Sequence, residues 1–150
     1  IPDSVLKKPG PFTPDERQTM NRHAAIGASI LGKSRIELFQ LASEIALTHH
    51  ERWDGQGYPN QLAGEDIPLS GRIVAVVDFY DALTMNRVYR PAFSHEKVLE
   101  MLLAERGRAF DPAIVDCFMR SNIAMSAVRE RVTNQQMTFS DLIQNEPVNP

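Results

Sequence analysis

Helix start signals recur along this sequence, and they constrain its fold more than any other feature. Thr13, Pro14 and Glu16 provide an N-cap, a proline at the first helical position and a glutamate at the third. Together they form a capping box. Alternation of apolar and polar residues with a period of two, the pattern of a half-buried strand, is nearly absent. The sequence therefore predicts an all-α fold.

Two helices are predicted in the first third of the chain. The first begins after Thr13 and ends near Gly32, and the second begins with another capping box at Ser34 and Glu37 and ends near Trp53. The buried face of the second is marked by apolar residues at helical spacing. These residues are Leu38, Leu41, Ala42 and Ile45.

A long loop and further helices are predicted beyond Trp53. The loop, residues 54–69, holds three glycines and two prolines, and loops of this length are more often functional than filler. The helix over residues 70–85 is apolar on nearly all sides and is expected to be central. Later helices are predicted over residues 94–106, from Pro112 with Asp111 as its cap, and over residues 126–132.

Composition limits the class of protein. A chain of 150 residues suits one domain, predicted over residues 1–150, of which residues 141–150 are expected to form a flexible tail. The net charge of −3 does not favour a nucleic acid polymer as partner. Cys117 is the single cysteine, so no intrachain disulfide is expected, and a cytoplasmic location is predicted. No apolar run approaches the roughly 20 residues of a membrane span.

Three histidines are candidates for a site. His49 continues the apolar stripe of the second helix, and His50 lies about 100° further round. The two rings are expected to diverge toward neighbouring metal positions, or else to sit at a helix C-terminus where partial positive charge is favourable. His23 shares a face with Ile26 and Ile30, so it also points inward, as a ligand or as a hydrogen-bonded core residue.

Asp78 and Asp81 stand three residues apart on the apolar helix and share a face. A carboxylate buried there needs a cation, a strong donor or a metal. Pairing with Arg72, Arg87 or Arg90 is the favoured interpretation for Asp81, whereas a metal is favoured for Asp78.

Histidines and a carboxylate together suit borderline divalent ions: iron, manganese, nickel or zinc. Two such ions a few ångströms apart can promote phosphoester hydrolysis. Arg87 and Arg90 follow the two aspartates and are placed to hold phosphate groups.

Taken together, these residues make the chain resemble a known family, the HD-GYP branch of the HD phosphohydrolases. The resemblance rests on the stretches MNRHAAIGASIL, HHERWDGQGYP, GEDIPLSGRIVAVVDFYDALT and FDPAIVDCF, among others, which follow one another in the family's order and spacing up to about residue 120. It implies a helical bundle of the HD-domain type. It also implies metal-dependent hydrolysis of the bacterial messenger cyclic di-GMP to linear pGpG, with further cleavage to GMP.

The resemblance implies a set of metal and catalytic residues. His23, His49, His50 and Asp78 match metal ligands of the family, and Asp78 and Asp81 match its catalytic aspartates, the second of which helps to position the site. The resemblance implies two or three divalent ions, with iron or manganese first and nickel or zinc as alternatives.

The resemblance also implies substrate and partner contacts. Gly57, Tyr58 and Pro59 match the motif that names the family, and residues 54–62 around it are called the GYP loop below. This motif is linked to substrate recognition and to contacts with partners such as diguanylate cyclase domains. Arg87 and Arg90 match positions that approach the substrate phosphates, and a homodimer is a further expectation.

One departure from the family pattern concerns the beginning of the chain. The family's His-Asp pair is expected just upstream of Ile1 and is missing from this sequence. The chain is thus interpreted as a domain that lacks its N-terminal part, with weak or no activity as a fragment. The alternative is a non-catalytic module that binds cyclic di-GMP or another protein.

Overall fold

The computed structural model describes residues 1–85 and 91–133, and this part of the chain contains helices and no strand. The predicted all-α fold is confirmed. Contacts divide the chain into two units, Ile1–Asp116 and Cys117–Pro150. The prediction of a single domain over residues 1–150 stays a prediction, and the tail predicted at residues 141–150 lies outside the described residues. The helices are α1 (Asp3–Leu6), α2 (Pro14–Leu31), α3 (Glu37–Thr48), α4 (Leu69–Thr84), α5 (His95–Ala104), α6 (Pro112–Arg120) and α7 (Asn122–Thr133).

The start of α2 forms as predicted. The Thr13 hydroxyl accepts a hydrogen bond from the Glu16 amide at 3.3 Å, and the Glu16 carboxylate accepts one from the Thr13 amide at 2.7 Å. Both bonds satisfy amide groups that a helix start leaves without partners. The helix ends at Leu31, and Gly32 follows as its C-cap.

Both predicted ends of α3 are wrong. The helix begins at Glu37 with no side-chain cap, because the Ser34 hydroxyl accepts from the Ile36 amide instead. It ends at Thr48, well before Trp53. The reason is long-range: the Trp53 amide donates to the Ala109 carbonyl at 3.0 Å, and the next amide donates to the Arg108 carbonyl. These amide groups are therefore not available for helical bonds.

Small residues bring α2 and α3 close together. Ala24 and Ala28 are buried on α2, and the Ser43 hydroxyl donates to the Ala28 carbonyl at 2.9 Å. A Cβ added at Gly27 would lie 3.5 Å from the Ala46 Cβ. This close approach places the middle of α2 beside the end of α3. The larger apolar side chains predicted to face inward do not: Ile26, Ile30, Leu38 and Leu41 are all exposed.

Helix α4 matches its predicted range to within a residue, but it is buried on one side only. Gly71 permits contact with α3, since a Cβ there would lie 2.2 Å from the Thr48 Oγ1 atom. Val76 and Tyr80 are buried, whereas Ile73 and Val77 are 42% and 46% exposed. The predicted central position of α4 is therefore only half correct, and this bears on its two aspartates.

Helices α5 and α6 begin within a residue of their predicted starts, whereas α7 begins at Asn122, before the predicted start at residue 126. Ser94 caps α5 by accepting from the Lys97 amide, and the Asp111 carboxylate caps α6 by accepting from the Ala113 amide at 2.8 Å. Asp111 is buried and also accepts from the Arg72 guanidinium at 2.7 Å. Across the described residues, no helix is both long enough and apolar enough to cross a membrane.

Candidate metal centre

Three histidines converge in the first unit. His23 comes from the middle of α2, and His49 and His50 directly follow α3. Each can offer one ring nitrogen so that these atoms lie within 4.8 Å of one another, and all three residues are half-buried. The His49 and His50 ring centroids are 4.0 Å apart, so the expectation that these rings diverge is wrong. The helix on which that expectation rested has already ended at Thr48.

Backbone carbonyls fix the protonation of two of these rings. The Nδ1 atom of His23 lies 2.7 Å from the Met20 carbonyl oxygen, and that of His49 lies 3.0 Å from the Ile45 carbonyl oxygen. A carbonyl only accepts, so in both rings Nδ1 carries the hydrogen and donates it. In the neutral form of each ring the Nε2 atom then carries the lone pair, and a donated Nδ1–H is the usual outer partner of a histidine ligand. This set of donors fits a borderline divalent ion.

His50 completes the histidine cluster of His23, His49 and His50. Its Nε2 atom lies 3.1 Å from the Nε2 atom of His23. Burial, followed by the charges of His49 and His23, lowers the pKa of His50 to about 4. The ring is therefore neutral near pH 7. A metal-binding imidazole must be neutral, so the lowered pKa of His50 favours metal binding near pH 7.

The lowered pKa of His50 predicts how the stability of the metal-free chain depends on pH. The unfolded chain takes up the proton near the ordinary pKa of 6.5, whereas the folded chain resists it down to about 4. The free energy of unfolding should therefore fall as the pH falls between these values. Urea unfolding in the presence of a chelator, followed across this range, measures the slope. His50→Gln should flatten it, and an equal slope in that variant would contradict the assignment.

Asp78 and Asp81 are not buried as expected, because they lie on the open side of α4. Asp78 nevertheless lines the same cavity as His49 and His50, whereas Asp81 lies outside the described lining. The pairing of either aspartate with Arg72 is wrong, since Arg72 pairs with Asp111 at 2.7 Å. Arg87 and Arg90, predicted to bind phosphates, lie outside the described residues.

The cavity beside the histidines has a volume of about 580 Å³. Sites for small ligands commonly range from roughly 300 to 1,000 Å³. Away from the histidines its wall is mostly apolar and includes Phe79 and Phe110, whose ring centroids are 5.0 Å apart. A lining that combines ligating groups with apolar and aromatic side chains suits a molecule with both charged and flat apolar parts.

The GYP loop brings Tyr58 against the histidine cluster. The centroid of the Tyr58 ring lies 4.9 Å from that of His50, and the Tyr58 amide donates to the His50 carbonyl at 3.2 Å. Burial raises the pKa of Tyr58; the Asp78 charge raises it too, while Arg17 opposes the shift. Gly57 is buried and Pro59 is exposed, so the motif presents Tyr58 to the cavity and Pro59 to solvent.

Glu51 and Arg17 are residues near the site that the histidine and aspartate patterns did not indicate. Glu51 is only 3% exposed, and its carboxylate accepts from the amides of Asn60 and Leu62 at 2.7 and 3.1 Å. Loop amides need acceptors, so an acidic residue directly before a Gly- and Pro-rich loop is a signal that could have indicated it. Arg17 gives no comparable signal in the sequence.

The chain is similar in sequence to a known family and to several characterised proteins. The family model described as HD domain matches residues 1–114. A cyclic di-GMP phosphodiesterase of Vibrio cholerae is 52% identical over 124 residues, which are 79% of this chain and 25% of that protein. A 3′3′-cGAMP-specific phosphodiesterase 2 of the same species is 46% identical over 129 residues, 86% of this chain and 25% of that protein. The chain thus spans about a quarter of the length of these curated relatives.

A solved structure shares the fold. The crystal structure of a cyclic GMP-AMP specific phosphodiesterase of V. cholerae matches with a TM-score of 0.59 and 22% identity. The match covers 98% of this chain and 32% of that one. This likeness supports the helical architecture described above.

Proposed function

The chain belongs to the HD domain family, in its HD-GYP branch, and we propose that it forms part of a metal-dependent phosphodiesterase that opens cyclic di-GMP. The first product is linear pGpG, with GMP as the product of further cleavage. The main support for the proposal is the histidine cluster. It combines one imidazole from α2 with two from the segment directly after α3, beside a cavity. A relative that is 52% identical and named for this reaction supports the choice of substrate.

In this proposal His23, His49, His50 and Asp78 hold divalent ions, two or three in number, with iron or manganese first and nickel or zinc as alternatives. When bound, such ions polarise the phosphodiester and lower the pKa of water. The chain's own residues orient the reactants. The Met20 and Ile45 carbonyls fix the imidazole tautomers. Tyr58 lies against the His50 ring, where its hydroxyl can contact the substrate.

The remaining assignments extend this proposal. Asp81 helps to position the site one turn beyond Asp78. Arg87 and Arg90 bind the substrate phosphates, for which guanidinium groups are well suited. Gly57 and Pro59 shape the loop that carries Tyr58, a role supported by the burial of Gly57.

Asparagine in place of each aspartate tests these roles in the full protein. Asp78→Asn should lower bound metal and reduce kcat/KM for cyclic di-GMP by more than about 100-fold, because it removes a ligand, whereas outer partners cost 10–100-fold. Asp81→Asn should keep its metal and lose turnover only. Metal analysis and chromatography of the products measure both effects. Asp66→Asn, an exposed carboxylate in the loop before α4, is the matched control and should resemble the wild type.

Two results of that assay would contradict the proposal. Wild-type protein loaded with manganese or iron that leaves cyclic di-GMP intact would refute hydrolysis. Full metal content in Asp78→Asn would refute the ligand assignment. Preferential cleavage of 3′3′-cGAMP would instead move the substrate toward that of the 46% identical relative.

The second candidate function is a non-catalytic module that binds cyclic di-GMP or a protein. One observation favours it: Asp78 is exposed and lies outside the group of three histidines. Tight binding of cyclic di-GMP by the metal-loaded full protein, with no product formed, would select this function over hydrolysis.

Partners and location follow from the same proposal. The GYP loop exposes Pro59, Asn60 and Gln61, which a diguanylate cyclase domain could contact. The exposed apolar side chains of α3 and α4 support a homodimer. A cyclic dinucleotide messenger as substrate and a single cysteine in the sequence support a cytoplasmic location.

A further inference from the structure

We propose that Glu51 is a positioning residue whose carboxylate holds the GYP loop so that Tyr58 stays against His50. The inference rests on the proposed function for its catalytic consequence, but its structural core is independent of any substrate. The Glu51 side chain makes no hydrogen bond to the ring nitrogens of the histidine cluster or to the Tyr58 side chain. It acts through two backbone amides of the loop that follow Tyr58.

The surroundings of Glu51 explain why its charge is tolerated. Its side chain is almost fully buried, and among the described residues its hydrogen-bond partners are backbone amides. A buried carboxylate is costly unless strong donors satisfy it. Hydrogen bonds from amides to an ionised carboxylate are about twice as strong as neutral ones. The charge of Glu51 therefore stabilises this loop conformation in particular.

The two amides that bind Glu51 lie on the C-terminal side of Tyr58. Asn60 and Leu62 follow Tyr58 in the chain, while the Tyr58 amide bonds to the His50 carbonyl at 3.2 Å before it. Tyr58 is thus anchored on both sides. Asn60 and Gln61 are exposed, so the carboxylate of Glu51 is the buried attachment of an otherwise surface segment.

Glu51→Gln tests this role with a measurement that general loss of stability would not reproduce. The two loop amides bind different oxygens of the Glu51 carboxylate, so in glutamine one of them would face the NH₂ group, which only donates. The Tyr58 ring lies near enough to His50 to shift the His50 ring protons upfield. In the variant we expect those signals in the full, metal-free chain to move toward their positions in Tyr58→Leu. In the metal-loaded protein we expect kcat/KM to fall about 10–100-fold with metal content retained.

Asp111→Asn is the matched control, because among the described residues Asp111 is the other buried carboxylate that accepts from a backbone amide, and its own hydrogen bonds go to Ala113 and Arg72, not to the GYP loop. It should lower stability and leave the His50 signals in place. Unchanged His50 signals in a folded Glu51→Gln would overturn the proposal. If that variant does not fold, Glu51→Asp decides: its shorter carboxylate should shift the same signals partway, and no shift would overturn the proposal.

The two proposals can fail separately. A wild-type protein that hydrolyses no cyclic dinucleotide would refute the proposed function, while the His50 signals would still report on Glu51. Conversely, an active protein whose His50 signals do not respond to Glu51→Gln would refute only the positioning role.

Discussion

Replacing His50 with alanine is expected to empty the metal site and to lower kcat/KM for cyclic di-GMP by more than about 100-fold, since loss of an outer partner alone costs 10–100-fold. His50 is the centre of the site. Its Nε2 atom lies 3.1 Å from that of His23, and its ring contacts both His49 and Tyr58. One substitution therefore removes a donor and the surface on which Tyr58 packs. Metal content of the purified full protein and initial rates of hydrolysis measure the two losses.

His95→Ala provides the control for this experiment. His95 is the fourth histidine of the sequence and lies at the start of α5, where its Nδ1 atom is 2.8 Å from the Tyr80 hydroxyl. It takes no part in the histidine cluster. We expect this variant to retain metal and turnover. Full metal content and wild-type rates in His50→Ala would show that the cluster is not the metal centre.

The parts of the fold that could be predicted from the sequence depend on local contacts. The capping box of Thr13 and Glu16 and the cap of α6 by Asp111 are hydrogen bonds between residues two or three apart. Such bonds need no information from the rest of the chain. The extent of α4 follows from a long apolar run between loop signals. These predictions were confirmed because the hydrogen bonds and the apolar pattern behind them involve residues close together in the sequence.

Apart from the start of α3, where the Ser34 hydroxyl accepts from the nearby Ile36 amide, the parts that failed depend on distant residues. Helix α3 ends early because Trp53 bonds to Ala109, which is more than fifty residues away. His49 and His50 directly follow that end, and their ring centroids lie 5.6 and 4.9 Å from that of His23. Asp78 was expected to be buried because α4 is apolar all round, yet burial depends on which neighbours cover each side. Apolar composition does not specify those neighbours.

The contacts of Glu51 are intermediate in sequence separation between the local caps and the long-range bonds of Trp53. Its acceptors bind amides nine and eleven residues further along the chain, so no helical or strand period relates them. The loop was predicted from its glycines and prolines, and its function from the GYP motif. An acidic residue before such a loop is a signal in the sequence, but it does not specify which loop amides the carboxylate binds, because that depends on how the loop folds back.

Gly57→Ala is expected to have the second large effect, because the loop passes directly over the backbone of the preceding segment. A Cβ at this position would lie 2.4 Å from the Arg52 nitrogen and 2.5 Å from the Glu51 Cα atom. Backbone atoms cannot rotate away as a flexible side chain can, so the loop itself must shift. Overpacking of this kind costs about 1–3 kcal/mol.

The shift should also separate Tyr58 from His50, since Tyr58 is the next residue and its amide bonds to the His50 carbonyl. We therefore expect Gly57→Ala to lower both the free energy of unfolding, measured in urea, and kcat/KM, the latter by about 10-fold or more. Gly10→Ala is the matched control, because a Cβ there would meet nothing within 4 Å. Its free energy of unfolding should stay within about 0.5 kcal/mol of the wild type. Equal stability and activity in the two variants would show that the loop does not need the close approach that only glycine allows.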